Sequence, residues 1–253
     1  MKLARLGVNV DHVATLRQQR GELYPEVWRA AHASLEAGAH QITIHLREDR
    51  RHIQDYDLPA VHDVCRKFAR PLNLEMGCSE EMVEIAIKEN PEWICLVPEK
   101  RQERTTEGGL DVLNEANYQR VKATCDALKK HLSSSKISLF VEAEDSVLKR
   151  CLTLQADAVE IHTGEYAKDF LAKKDLSEHL KKYLQGHKII KERGWGYHAG
   201  HGLTLESLGP LLEQGIFEEY NIGHWIITEA VFSGLESVVK NMLNLIGIHP
   251  LKG

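Results

Sequence analysis

The five cysteines, Cys65, Cys78, Cys95, Cys125 and Cys151, are odd in number, scattered, and never arranged as a C-x-x-C pair. That excludes a disulfide framework and a zinc ribbon, and leaves thiols flanked by apolar or helical sequence. Positive charge is not in excess either. The formal net charge of −5 argues against a nucleic-acid binder held by a general basic surface. A small anionic ligand needs only a few local arginines or lysines and stays open. No apolar run approaches the ~20 residues of a membrane span. Met1 to Arg5 lead straight into a strand-like segment without the apolar region of a signal peptide. The expectation is a cytoplasmic protein with no membrane or nucleic-acid partner. No low-complexity linker interrupts the 253 residues, so a single domain is the simplest count.

What is present is an alternation. Short apolar runs at Leu6 to Val10, Gln41 to Leu46, Pro71 to Glu75 and Trp93 to Val97 continue at Lys136 to Val141 and Ala158 to Ile161. Weaker runs at Trp195 to His198 and Phe217 to Ile222 complete eight. Helix-period stretches lie between them, at Val27 to Ala37, Ser79 to Glu89, Asn114 to His131, Asp145 to Gln155 and Leu205 to Gln214. Ala167 to Lys191 reads as one further extended helix with a solvated, lysine-rich face. Gly38, Gly194 and Gly215 stand just before strands, where a left-handed residue stops a helix. Ser79 and Thr204 stand where N-caps belong. Strand–helix alternation implies βαβ units and a parallel sheet. Eight units in this length predict a closed α/β barrel, (β/α)8, with extra helical elements.

In such a barrel the C-terminal strand ends share one mouth, and active sites are built there. The first strand ends in Asn9, Asp11 and His12, the second in His45 and Arg47, and the third in Asn73 and Glu75. Pro98-Glu99-Lys100-Arg101 follows the fourth, Glu142 the fifth, and the sixth ends in Glu160 and His162. His198 and His201 follow the seventh, and Asn221-Ile222-Gly223-His224 the eighth. Any one of these residues can be a cap or an ion-pair partner; all eight strands delivering polar groups to one rim is a different matter. Alternation of Ile42, Ile44 and Leu46 against Thr43, His45 and Arg47 turns His45 into the mouth if the isoleucines face the helices. Glu75 projects likewise. A carboxyl there has its proton affinity raised by a low dielectric, which suits a proton carrier near pH 7. The bland alternative is that His45 and Glu75 merely hydrogen-bond each other.

Glycine turns after the seventh and eighth strands, Ala199-Gly200-His201-Gly202 and Asn221-Ile222-Gly223-His224, each open a helix. Backbone N–H groups and the helix dipole make such turns anion cradles, at the recurrent phosphate position of barrel enzymes. A second anion site is suggested by Arg47-Glu48-Asp49-Arg50-Arg51-His52, with Arg17 and Arg20 after the first strand. Internal ion pairs to Glu48 and Asp49 are an equal reading for Arg50 and Arg51. Fourteen histidines raise the question of a metal. His198, His201, His162 and Glu160 can be assembled into a site, yet no H-E-x-x-H motif and no aspartate-rich rim is present. No metal is expected.

Several blocks resemble the pyridoxine 5′-phosphate synthase family: Leu6 to Arg17, Ile44 to Ile53, Asn73 to Met76, and Leu96 to Glu103 with Thr105 to Gly109. Glu160 to Gly164, Ala199 to Leu203 and Asn221 to His224 continue the match in order. His198, Trp225 and Glu229 depart from the family's usual asparagine, alanine and arginine. The resemblance implies a ring-forming condensation of 3-amino-2-oxopropyl phosphate with 1-deoxy-D-xylulose 5-phosphate, giving pyridoxine 5′-phosphate, inorganic phosphate and water. It implies that His45 and Glu75 accept protons, that His201 donates one, and that Glu160 stabilises developing positive charge. By the same resemblance Asn9, Arg20, Gly202, Gly223 and His224 serve the amino-ketone phosphate, and Asp11, His12, Arg47, His52 and Thr105 the deoxyxylulose phosphate. The amine and ketone form their imine from the substrates themselves, so no cofactor is expected. A homo-octamer is implied too. Two rivals stay open: a metal-dependent sugar-phosphate isomerase or aldolase on the same barrel, and a non-catalytic phosphometabolite sensor. The loop after the fourth strand, with Gly108-Gly109 as hinge, is the candidate lid.

Overall fold

Eight parallel strands hydrogen-bond in chain order and close on themselves, the last pairing with the first. They are β1 (Arg5–Asn9), β2 (Gln41–His45), β3 (Leu72–Met76), β4 (Trp93–Leu96), β5 (Lys136–Val141), β6 (Ala158–His162), β7 (Gly196–Gly200) and β8 (Glu219–Ile222). This architecture comes from a computed structural model that describes residues 2–103, 105 and 108–252. Thr106 and Glu107, part of the block that resembles the synthase family, lie outside the described residues, as do Met1, Arg104 and Gly253. The eight expected strands are all present, with ends moved by a residue or two. The two weakest, β7 and β8, start one and two residues later than their apolar runs.

The helices are α1 (Asp11–Gln18), α2 (Val27–Glu36), α3 (Asp57–Lys67), α4 (Glu80–Glu89), α5 (Glu115–His131) and α6 (Asp145–Cys151). After them come α7 (Gly164–Leu171), α8 (Ser177–Glu192), α9 (Leu205–Gln214), α10 (His224–Ser233) and α11 (Leu235–Gly247). Ser79 caps α4 by accepting from the Met82 N–H, and Thr204 with Ser207 forms a capping box on α9. Gly38, Gly194 and Gly215 hold positive φ, as helix stops do. One expectation fails. Ala167 to Lys191 is not one helix: α7 stops at Leu171, Lys173 turns left-handed at φ 54°, and Asp175 accepts from the Ser177 N–H to start α8. Lysine and leucine periodicity runs across this break because it records which face is buried, not whether the backbone continues.

The hydrophobic core is the layer between the outer faces of the strands and the helices, with Ile42, Ile44, Leu72, Leu74, Leu139 and Val159 within it. β2, β6 and β8 are buried at every position, as strands covered on both sides must be. The inside of the barrel is polar, where branched aliphatic layers are the common filling. Gln41 donates to Glu219 at 2.7 Å, Thr43 to Asn221 at 3.2 Å, and Asn73 to Thr43 at 3.2 Å. Gln41, Thr43 and Asn73 each find a partner across the lumen, which offsets part of their desolvation, although Gln41 Oε1, Asn73 Oδ1 and Ser138 Oγ are left without one among the described residues. Asn221 carries this network upward by donating to Glu160 at 2.6 Å. The column of hydrogen bonds therefore ends on a residue of the upper rim.

Candidate active site

The C-terminal strand ends open on a cavity of about 800 Å³. Its wall includes Asn9, His12, His45, Arg47, Glu75, Glu160, His201, Gly202, Gly223 and His224, ten of the expected site residues drawn from six strand ends. His45 and Glu75 are register partners on β2 and β3, but Nδ1 stands 3.9 Å from Oε2, beyond hydrogen-bond reach. They face a shared space instead of satisfying each other. Burial pushes the Glu75 carboxyl well above its usual range, and Glu160 and Asp11 add to the push. Burial likewise raises Glu160 to about 8, although the Asn221 hydrogen bond opposes it. Gly200 makes room for this carboxyl: a Cβ there would stand 2.1 Å from Glu160 Oε1.

His201 is held at φ 79°, a costly left-handed conformation for a residue with a side chain, and this aims its ring at the cavity. The ring centre lies 4.8 Å from that of His162. Burial first, and the neighbouring His162 second, lower His201 to about 4. His12 and His224 meet edge to face at 4.9 Å, and burial with His224 lowers His12 as well. The free cavity is thus poor in ionised groups, with several protons ready to move.

Four expected residues do not line the cavity. Asp11 works from behind: Oδ1 accepts from the His45 N–H at 2.8 Å and Oδ2 from Asn9 Nδ2 at 2.9 Å, fixing both. His52 sits beside His45, ring centres 6.0 Å apart. Thr105 donates to Glu142 at 3.3 Å and accepts from the Gly108 N–H, pinning the foot of the loop after β4. Arg20 is exposed beyond the end of α1. Of the other arginines in the expected second anion site, Arg17 is spent on a bidentate pair with Asp57 at 2.7 and 2.6 Å. Arg50 pairs with Asp55 and Glu81, and Arg51 with Asp49. Arg47 alone among them reaches the cavity wall.

The two glycine turns also divide. At α9 the Thr204–Ser207 box takes the Ser207 and Thr204 N–H groups, whereas α10 starts at Gly223 with no side-chain cap. The first N–H groups of α10 meet no side-chain acceptor and are open to an anion. A Cβ on Gly223 would lie 2.9 Å from Asn9 Cβ and 3.1 Å from its carbonyl oxygen, so the close approach of β1 and β8 requires glycine.

A family model described as Pyridoxal phosphate biosynthesis protein PdxJ matches residues 6–247. The chain belongs to the PdxJ family. Among curated relatives, the pyridoxine 5′-phosphate synthase of Pelobacter propionicus is 45% identical over 247 residues, covering 96% of this chain and 99% of the relative. That of Aquifex aeolicus is 45% identical over 246 residues, with the same coverage, and that of Zymomonas mobilis 43% over 242 residues, covering 95% and 91%. Solved structures share the fold alone. Mycobacterium tuberculosis tryptophan synthase aligns at TM-score 0.62 with 10% identity, over 97% of this chain and 93% of that one. Phosphoribosyl anthranilate isomerase from Thermus thermophilus aligns at 0.58 with 10% identity, over 96% and 98%.

For a PdxJ-family barrel, the cavity residue His162 and Glu99 behind the wall carry more than the sequence reading assigned. Glu99 reaches His45 Nε2 at 3.0 Å, and His162 lies 3.1 Å from Glu142 Oε1 beside His201. Both stand at the strand-end positions read from the sequence, but their spacing carries no sign of the partner each finds. The departures from the family pattern separate cleanly. His198 sits deep in the barrel, against Trp93 and 3.9 Å from Glu219, so the His198–His201 metal grouping does not form. Trp225 lines the cavity, and Glu229 accepts from Ser233 along α10. Among the described residues the grouping that brings three metal-ligating side chains within 4.8 Å is Asp11, His45 and Glu75. Burial raises both of these carboxyls, Asp11 to about 6, which favours protonated over cation-binding forms.

Proposed function

We propose that this chain is a pyridoxine 5′-phosphate synthase, condensing 3-amino-2-oxopropyl phosphate with 1-deoxy-D-xylulose 5-phosphate into pyridoxine 5′-phosphate, with release of inorganic phosphate and water. The observation that carries the reading is the convergence of His45, Glu75, Glu160 and His201 on one cavity. The relatives of this family matched above bear the same name. The substrates' own amine and ketone supply the imine, and the protein's work is to place it and move protons. Glu75, once ionised, is a stronger base than an ordinary carboxylate because burial raises its proton affinity, and His45 stands beside it. Glu160 takes the role of partner to positive charge on the imine nitrogen. His201 enters neutral, with one N–H to give, and an incoming phosphate dianion favours its protonation.

Arg47 and the uncapped start of α10 serve the two phosphates. Arg47→Ala is expected to raise KM for one substrate ~10-fold or more with a smaller change in kcat, the pattern of lost binding. Gly223→Ala is expected to raise KM for the other. Steady-state kinetics with each substrate varied in turn check both.

Incubation with both substrates and an assay of released phosphate tests the reaction itself. Release that needs both substrates and survives exhaustive chelation is the expected result. Loss of activity on chelation favours the metal-dependent isomerase or aldolase, and binding without release favours a sensor. An octameric assembly and a cytoplasmic setting belong to the same proposal. The first rests on the family resemblance, and the second fits five unpaired thiols.

A further inference from the structure

Glu99, in the loop after β4, is 4% exposed at its side chain and accepts three hydrogen bonds. Oε1 meets His45 Nε2 at 3.0 Å and the Gly77 N–H at 3.2 Å, and Oε2 accepts from the Glu48 N–H at 3.0 Å. One backbone donor on each oxygen favours the ionised carboxylate. Burial works to raise this carboxyl, but the bonds from His45 and Glu48 outweigh it and hold it below its ordinary value. An ionised carboxylate has no proton to offer, so the hydrogen between the two groups belongs to His45 Nε2. In the neutral ring the lone pair then lies on Nδ1, the atom that faces Glu75 Oε2 across 3.9 Å.

We propose that Glu99 is a positioning residue that fixes His45 as the Nε2–H tautomer, making Nδ1 the atom that takes the substrate proton. The proposal rests on the reading of His45 as a proton acceptor and adds which nitrogen does the work. In that step a substrate C–H bond breaks, its electron pair stays on the substrate, and an Nδ1–H bond forms while Nε2–H is untouched. The resulting imidazolium sits against the Glu99 carboxylate, as a histidine oriented by an acid does elsewhere. Every charged neighbour of His45 fits this arrangement. Asp11 holds its backbone N–H, Glu75 faces Nδ1, Arg47 on the same chain segment donates to the Glu99 carbonyl at 3.3 Å, and His52 packs at the ring edge. Glu99 is itself held in place. Glu103 Oε2 accepts from the N–H groups of Glu99 and Lys100 at 3.1 Å each, and Arg120 donates to Glu103 Oε1 at 2.6 Å.

The test is solid-state ¹⁵N NMR of the full chain labelled at histidine, at alkaline pH, with His45 assigned by difference against His45→Gln. The expected spectrum gives His45 a protonated Nε2 and an unprotonated Nδ1. In Glu99→Gln the amide presents an N–H to a pocket built for acceptors, so the tautomer preference is expected to weaken or invert. Its kcat is expected to fall ~10²-fold, with KM for both substrates within about threefold of wild type. A protonated Nδ1 in the wild-type chain overturns the proposal, and this reading does not depend on Glu99→Gln folding. An unchanged tautomer and kcat in Glu99→Gln overturn it too. Wild-type phosphate release is scored separately. A chain with the Nε2–H tautomer but no release sinks the condensation and leaves the tautomer assignment standing.

Discussion

Glu75→Gln is expected to keep the fold and lower kcat by ~10²-fold or more, the scale of a lost general base. The amide has the shape of the protonated carboxyl that burial already favours at this position, so the cavity wall stays intact. What it loses is the capacity to ionise, and so to give up one proton and take another from the substrate. His45 already has its own proton to take, so the neighbouring imidazole does not replace the lost carboxyl. Steady-state kinetics with a thermal melt as control check the pair of expectations. Undiminished kcat in a folded variant would remove Glu75 from the chemistry.

Glu160→Gln is expected to divide stability from activity. The folded-state value of Glu160, about 8, lies above that of an unfolded glutamate near 4.3. The folded state therefore favours the proton. Its advantage is fully present below the unfolded value and is lost as pH rises through the folded one. Wild-type stability should decline between about pH 4.5 and pH 8 by on the order of a few kcal/mol from this group, while the glutamine variant lacks that decline. Asn221 still finds an oxygen to donate to. Denaturant midpoints at pH 5 and pH 8 measure the difference, and a stability gap that does not widen toward alkaline pH would contradict the raised proton affinity. Activity is expected to fall ~10²-fold, because the amide cannot ionise to the carboxylate that positive charge developing on the imine favours.

The arginines show how far a sequence reaches into a site. In the sequence Arg17 and Arg47 stand as phosphate candidates and Arg50 and Arg51 as equally good ion-pair partners, and local charge pairing covers only part of what separates them. Asp49 and Asp55 lie a few residues from Arg51 and Arg50, so those pairs are near neighbours in the chain. Asp57, which neutralises Arg17, is 40 residues away and reaches it only because α3 packs beside the end of α1. Glu99 and His45 are 54 residues apart and meet for the same kind of reason. The turn at Lys173 was hidden because a buried face keeps its period on both sides of a single left-handed residue.

By itself the sequence determined the eight-fold alternation, the rim onto which each strand delivers its polar residues, and the resemblance that carries the family. Those are properties of local periodicity and of short ordered blocks, both written along one chain. Only the tertiary structure decided which arginine reaches the cavity wall, which of the two glycine-turn helices lacks a side-chain cap, and which nitrogen of His45 faces Glu75. Those depend on partners brought together by barrel closure, and a one-dimensional pattern holds no distance between residues that meet only when the sheet closes.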